Sequence, residues 1–157
     1  MPGLLGFIAQ DVRDGQLLDR MINAIAHEPW HQVEKYVDPP FHVARVHLGK
    51  FNPEHQPAFN EDRTLCVFMH GKVYGHKAER KQLESRHRFA SGSDAELCLH
   101  LYEEMGAESF RRLNGDFVLL ICDLREKKAI LANDRNALRT LYYAEHNGAL
   151  LIAHMGG

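Results

Sequence analysis

Apolar and polar residues follow one another in distinct patterns along the chain, and each pattern predicts one type of element. The stretch LLGFIA near the amino terminus is a short apolar run, which predicts a buried strand. In residues 15–27 the apolar positions recur at helical spacing, which predicts an amphipathic helix that Pro29 ends. Residues 41–48 (FHVARVHL) alternate, which predicts a half-buried strand.

The middle of the chain predicts loops, a strand and two helices. GKFNPEHQPAFNED has the composition of a loop, and LCVFMHG predicts a strand. Residues 75–84 predict a short, highly charged helix. Ser93 and Glu96 have the spacing of a capping box, and the helix that they open carries one apolar stripe until Gly106 ends it.

The last third predicts strands only. DFVLLICDLREKKAILAND predicts two strands joined at residues 125–128. Asn147-Gly148 favours a tight turn, so residues 140–144 should pair with residues 149–153. Because strands and helices come in blocks rather than in βαβ alternation, we predict an α+β fold of antiparallel sheets with helices packed on them.

Length and charge exclude several classes of protein. A chain of 157 residues is expected to form one domain with a substantial core. The formal net charge of −2 gives no reason to expect capture of nucleic acid or of an anionic membrane. No apolar run approaches the roughly 18 residues of a membrane helix, and the first residues lack the basic region of a secretory signal. We therefore expect a cytoplasmic protein.

Cysteine and histidine give little sign of a metal or a cofactor. Three cysteines without a CxxC spacing are expected to be buried structural thiols rather than disulfides or zinc ligands: Cys66, Cys98 and Cys122. The eleven histidines are scattered and form no HExxH motif. The expectation from sequence is thus no metal site and no cofactor.

Several motifs follow one another in an order that resembles a known family. Behind the glycine-bearing first strand come Arg45 with Gln56-Pro57 eleven residues later, His70-Gly71-Lys72, and Ser93-Asp94-Ala95-Glu96. LHLYEEMG, RRLNGDFVLLICD, LANDR and LYY then complete the order. The chain closely resembles the glutaminase domain of glutamine-hydrolysing asparagine synthetase, a class II glutamine amidotransferase of the N-terminal nucleophile hydrolase fold. The resemblance covers the whole of 1–157 and is most specific in residues 93–143.

The resemblance implies an αββα four-layer sandwich of two antiparallel sheets and a defined set of catalytic groups. In such enzymes the second encoded residue is a cysteine whose thiol attacks the glutamine amide, with its own α-amine as the base. An Asn-Gly-Glu motif holds the oxyanion, an arginine binds the substrate α-carboxylate and an aspartate binds its α-ammonium.

Matched to these positions, the sequence keeps the expected substrate-binding residues but lacks the expected nucleophile and oxyanion-binding asparagine. Arg45 and Asp94 stand where the carboxylate and ammonium binders are expected. Pro2 occupies the nucleophile position, His70 the oxyanion asparagine position and Lys72 the glutamate position, so only Gly71 survives of that triplet. If a ligand binds, the added cation of Lys72 should favour glutamate over glutamine.

Simpler explanations stay open for each residue. Arg45, in an apolar strand, needs some partner and is also explained by an acidic neighbour or by pairing with Asp94. Asp94 in the first turn of a helix is favoured by the helix dipole alone. His70 at a strand end is also explained as an exposed polar residue.

Three functions follow from this combination. The first is a non-hydrolytic scaffold and docking module for an ATP-dependent amide-forming synthetase domain, in cis or in trans. The second is an amino-acid sensor that uses Arg45 and Asp94, and the third is an enzyme that uses the amine of Pro2 with His70 as a polarising group. The chain lacks the Ser-Gly-Gly-x-Asp-Ser motif of the synthetase domain, so we expect it to be the amidotransferase-like part alone. The sequence determines neither the substrate of that synthetase nor whether the domain forms a homodimer.

Overall fold

The computed structural model describes residues 2–12, 14–50 and 52–156. The chain forms two compact units: Met1–Phe51 with Arg139–Gly157, here called the terminal unit, and Asn52–Leu138, the central unit. The elements in chain order are β1 (Gly3–Ile8), α1 (Leu17–Ile25), β2 (Gln32–Asp38), β3 (Phe41–His47), β4 (Ala58–Phe59), β5 (Leu65–Val73), α2 (Lys77–Glu84), α3 (Asp94–Met105), a 3-10 helix (Gly106–Arg112), β6 (Gly115–Asp123), β7 (Lys128–Asn133), β8 (Tyr142–His146) and β9 (Ala149–Met155).

The terminal unit is an antiparallel sheet with the strand order β2-β3-β1-β9-β8. Helix α1 packs on one face of this sheet and shares a core with it, formed by Leu5, Phe7, Ala9, Leu18, Ile22, Ile25, Ala44 and Val46. The predicted buried first strand and amphipathic helix are therefore confirmed. The helix ends at Ile25, four residues before the proline expected to end it.

The glycines of β1 allow the neighbouring strands to approach closely. A Cβ atom at Gly6 would lie 2.2 Å from the carbonyl oxygen of His42 in β3. A Cβ atom at Gly3 would lie 2.2 Å from the carbonyl oxygen of His154 in β9. Since a backbone oxygen cannot yield that space, these positions need glycine.

Strands β2 and β3 depart from the predicted pattern. All seven residues of β3 are buried, so the prediction of a half-buried strand is wrong: both faces of β3 are covered, and its edges pair with β2 and β1. The pattern did not predict β2, because its exposed side chains include the apolar Val33 and Val37 while its buried side chain is Glu34. Edge strand β2 thus inverts the usual apolar-in, polar-out order.

The hairpin at Asn147-Gly148 is confirmed. Both residues have positive φ, 50° and 77°, as a two-residue hairpin turn requires. Strand β8 pairs with β9 from Tyr142 opposite Ala153 to His146 opposite Ala149. The paired segment begins two residues later than the predicted 140–144, since a two-residue loop forces His146 to face Ala149.

The central unit is an antiparallel sheet with the order β4-β5-β6-β7. Alternate residues of β5 and β6 join α3 and the end of α2 in one core, which includes Leu65, Val67, Met69, Val73, Leu83, Leu97, Cys98, Leu101, Phe117, Leu119 and Ile121. The predicted strands and helices of this region are confirmed. Strand β4 is the exception, a two-residue strand inside the segment predicted as loop.

Helix α3 has the predicted cap in part. The Ser93 hydroxyl accepts a hydrogen bond from the backbone N–H of Glu96 at 3.2 Å. The Glu96 carboxylate does not complete the box; it accepts from the backbone N–H groups of Ala90 at 2.7 Å and Ser91 at 2.6 Å. Gly106 ends the helix with a φ of 63°, and the chain continues as the 3-10 helix.

The α+β class and the two antiparallel sheets are thus confirmed. Within the described ranges, every helix is too short or too polar to cross a lipid bilayer.

Candidate functional site

The terminal unit holds Pro2 and Arg45 on neighbouring strands. Pro2 immediately precedes β1, and its carbonyl oxygen accepts the backbone N–H of Gly156 at 2.7 Å. Arg45 lies in β3 opposite Leu4 of β1, on the face of the sheet away from α1. Pro2 therefore lies two positions along the chain from Leu4, the residue that pairs with Arg45.

The guanidinium of Arg45 is bound by Glu34 of β2. Its Nε lies 2.6 Å from Oε2 and its Nη2 lies 3.1 Å from Oε1, the two-pronged geometry that arginine prefers with a carboxylate. The two side chains are 1% and 9% exposed, and His47 Nε2 lies 3.7 Å from Glu34 Oε1. The structure therefore supplies the acidic neighbour that the simpler explanation of Arg45 requires.

The central unit holds His70, Gly71 and Lys72 near the end of β5. His70 faces Val118 and Lys72 faces Asp116 on β6, on the side of the sheet away from α3. Gly71 has a φ of 109°, a conformation that side-chain-bearing residues rarely adopt. Its carbonyl oxygen accepts a hydrogen bond from the side-chain amide of Asn52.

Asp94, at the start of α3, is bound to the same end of β5. Its Oδ2 accepts the backbone N–H of Val73 at 3.2 Å, and its Oδ1 lies 3.2 Å from Nη2 of Arg80. Arg80 also donates to the carbonyl of Gly92 at 2.6 Å. The structure thus places Asp94 against the backbone at the end of β5, whereas the side chains of His70 and Lys72 lie on the side of the sheet away from α3. Asp94 and Arg45 have separate ionic partners.

The contacts of four residues around these sites were not predicted from the sequence, although Gln56 belongs to the motif order. These residues bind the candidate residues or the end of β5 and are Glu34, Asn52, Gln56 and Arg80. Gln56 accepts the backbone N–H of Met69 at 2.8 Å through its Oε1 and is 1% exposed. The sequence did contain a sign of the role of Glu34, because this carboxylate stands between valines shortly before the strand that carries Arg45. Arg80 gave no such sign, because it lies in a highly charged helix whose residues resemble those of an ordinary solvent-exposed face.

The cysteines have no sign of nucleophilic character. All three are buried and free. Burial raises the pKa of the Cys98 thiol, and a hydrogen bond with Cys66, followed by burial, raises the pKa of Cys122. Because the thiolate is the nucleophile, burial and a raised pKa work against nucleophilic attack by Cys98 and Cys122, in agreement with the predicted structural role.

Comparison with known proteins assigns the family. Residues 1–155 match the family model described as "Glutamine amidotransferase domain". The chain belongs to this family.

The glutamine amidotransferase domain is similar to one part of larger proteins. It is 45% identical over 115 residues to "Asparagine synthetase [glutamine-hydrolyzing] 3" of Arabidopsis thaliana, which covers 72% of the chain and 19% of that protein. It is 38% identical over 115 residues to "Asparagine synthetase [glutamine-hydrolyzing] 2" of the same plant, with the same coverage. The "Asparagine synthetase [glutamine-hydrolyzing]" of Zea mays is 40% identical over 87 residues, 55% of the chain and 15% of that protein. The domain spans about a fifth of the length of the curated relatives it matches.

Proposed function

We propose that this glutamine amidotransferase domain does not hydrolyse glutamine and acts as a scaffold and docking module for an ATP-dependent amide-forming synthetase domain, in cis or in trans. The observation that carries the proposal is the residue at position 2. The side chain of Pro2 has no sulfur or oxygen with which to attack an amide.

The oxyanion position supports the same conclusion. His70 replaces the asparagine that the family resemblance leads us to expect, and Lys72 replaces the glutamate. Loss of one oxyanion donor lowers a rate by about 10² to 10³, and loss of the nucleophile lowers it further. The buried thiols of Cys66, Cys98 and Cys122 offer no replacement nucleophile.

The state of Arg45 argues against retained glutamine binding. An incoming α-carboxylate would have to compete with the Glu34 carboxylate, which already takes two N–H groups of the guanidinium inside the protein. Separation of this pair would leave a buried charge without its partner, which is strongly unfavourable. We therefore expect an amino-acid ligand to bind weakly or not at all.

The test of this proposal is ammonia release from glutamine, followed over hours with the purified protein. We expect a rate equal to that of the buffer. The control is the variant Pro2→Cys/His70→Asn/Lys72→Glu, which restores the three expected family residues and shows whether the assay can detect a repaired site. Glutamine turnover by the natural protein at the rate of a working glutaminase would overturn the proposal.

The docking partner is tested separately. The relatives' printed names describe asparagine synthetases, and for this domain we propose a cytoplasmic synthetase domain encoded downstream in the same reading frame or in a neighbouring gene. Coexpression of the two should give a complex that co-elutes on size exclusion. Separate elution at micromolar concentration would contradict docking in trans.

The same purified protein tests the two alternative functions, the amino-acid sensor and the enzyme that uses the amine of Pro2. Calorimetry with glutamate and glutamine should give no heat; binding that Asp94→Asn abolishes would favour the sensor instead. Asp94→Asn is a better probe than Arg45→Ala, because the latter breaks a buried ion pair. Intact mass shows whether Met1 is removed, a condition that the Pro2 enzyme must meet.

A further inference from the structure

A cluster of two histidines and two glutamates lies in the central unit, and none of its members is a candidate residue of the amidotransferase site. Glu61 follows β4, His87 follows α2, and His100 and Glu103 lie one turn apart on α3. One potential ligand atom from each of the four lies within 4.8 Å of all the others. The chain separates them into three segments, which is why sequence spacing did not indicate a metal site.

The distances inside the cluster suit a tetrahedral ion. Ligand atoms about 2.1 Å from a tetrahedral zinc lie about 3.4 Å from one another. Nδ1 of His87 lies 3.4 Å from Oε1 of Glu61 and 3.8 Å from Oε1 of Glu103. Nδ1 of His100 lies 2.8 Å from the same Glu103 oxygen. These three separations lie within 0.6 Å of the tetrahedral value.

Outer contacts hold three of the four side chains in place. Nε2 of His87 lies 2.8 Å from Oε1 of Glu104, the histidine–carboxylate contact that fixes the ring of most metal-bound histidines. Asn60 donates to the second carboxylate oxygen of Glu103 at 3.3 Å, and the backbone N–H of Arg88 donates to Glu61 at 2.5 Å. The cluster thus has an inner and an outer shell of the kind found around bound metals.

Burial and ring packing fix the fourth member. The His100 side chain is 1% exposed, and its ring lies against the rings of His87 and Phe89, with centroids 4.5 Å and 4.6 Å away. Its Nδ1 is directed at Glu103. Two carboxylates and two neutral imidazoles around a divalent ion also give a site with no net charge, which burial favours.

We infer that Glu61, His87, His100 and Glu103 bind one divalent transition-metal ion of the zinc class. Two nitrogen and two oxygen donors suit such ions, whereas magnesium prefers oxygen ligands and octahedral geometry. Four protein ligands leave no open position, so the ion is structural and joins α3 to the two loops that precede β5 and α3. This inference is independent of the proposed function.

A proton is the alternative occupant of this cluster. Burial opposes protonation of His87, but the hydrogen bond to Glu104 and the charges of Glu103 and Glu61 outweigh burial and raise its pKa. A histidine cation between carboxylates would explain the same contacts without a metal. The two occupants differ in stoichiometric metal binding, which can be measured directly.

The test uses the full chain after treatment with a chelator, at about pH 7.5, because protons compete less with the metal there than at acidic pH. Equilibrium dialysis against Zn²⁺ should give one tightly bound ion per chain, and the melting temperature should rise with Zn²⁺ concentration. Co²⁺ should give the intense visible absorption of a tetrahedral site, and excess Mg²⁺ should not displace either ion. Failure of the chelator-treated protein to take up one Zn²⁺ per chain in this dialysis would overturn the inference.

Variants then locate the ion. His87→Gln and Glu103→Gln should abolish stoichiometric binding, and Glu104→Ala, which removes the outer contact to His87, should weaken it about tenfold. The matched controls are the exposed His27→Gln and Glu108→Gln, which should bind zinc like the natural protein. If Glu103→Gln does not fold, Glu61→Gln, whose side chain is 37% exposed, takes its place. Zinc binding that survives in these ligand variants would assign it to other histidines and contradict the site.

Discussion

The two residues that resemble substrate binders lie in different surroundings. In the terminal unit, Arg45 is 1% exposed and held by both oxygens of Glu34. In the central unit, Asp94 is 24% exposed and divides its oxygens between the backbone N–H of Val73 and the side chain of Arg80. The first contact fills a buried site, whereas the second leaves part of the carboxylate in water.

This difference shows why a charged residue at an expected position does not by itself make a binding site. A buried guanidinium must have its partner already, because an isolated charge inside a protein is prohibitively unfavourable. A partly exposed carboxylate can exchange partners at lower cost, because water compensates part of its charge. Of the two residues, Asp94 is therefore the better probe of any remaining ligand binding.

The largest expected effect is on the buried pair. Arg45→Met leaves the Glu34 carboxylate buried without its cation, and we expect a loss of about 3–5 kcal/mol in the free energy of unfolding. The double variant Arg45→Met/Glu34→Leu should recover most of that loss, because it removes both charges. Urea denaturation measures both values. Arg20→Met, which breaks the exposed pair with Asp14, is the control, and an equally small loss in Arg45→Met would contradict the contrast.

The second prediction concerns the buried carboxylate of the central unit. Glu96 is 2% exposed and is satisfied by neutral donors on Ala90 and Ser91 rather than by a cation. Glu96→Ala should lower the free energy of unfolding by about 2–3 kcal/mol, because those donors lose a charged acceptor. Glu96→Gln, which keeps one acceptor oxygen, should lose less. Equal losses in the two variants would show that side-chain packing, not hydrogen bonding, dominates.

The partly exposed pair of Arg80 and Asp94 should contribute less to stability. Arg80→Gln removes the contact to Asp94 and should lower the free energy of unfolding by only about 0.5–1 kcal/mol, since solvent screens pairs of this exposure. Chemical denaturation at low and high salt should show a difference that shrinks as salt increases. A salt-independent loss as large as that of Arg45→Met would remove the distinction between the two ion pairs.

The smallest expected effect is a dependence on pH in the terminal unit. His42 is 6% exposed and stacks on Phe7 with ring centroids 4.4 Å apart, and burial lowers its pKa below the ordinary value of 6.5. Below that value the unfolded chain takes up a proton more readily than the folded one, so stability falls as pH falls. Melting curves at about pH 7.5 and about pH 5.5 should show a smaller drop for His42→Gln than for the natural protein. Equal drops in the two proteins would show that His42 does not contribute to the pH dependence.

The sequence determined most of the local structure. The 3.6-residue repeat of residues 15–27 and the Asn147-Gly148 turn fix α1 and the β8–β9 hairpin, because both depend on neighbours in the chain. The motif order also indicated the family to which residues 1–155 match. Where the local pattern of apolar residues agrees with the burial in the fold, the sequence was sufficient to predict the element.

Only the tertiary structure decided which side chains contact one another. The sequence could not show that β2 exists as an edge strand with Glu34 turned inward, because an apolar-out, polar-in strand has the opposite of the expected pattern. Nor could it show that Arg45 meets Glu34, that Asp94 meets Arg80, or that His87 meets His100. Each contact joins residues that only sheet pairing or helix packing brings within a few ångströms. The net energy of a charge depends on that distance and on how much water remains around it, and both quantities are set by the fold.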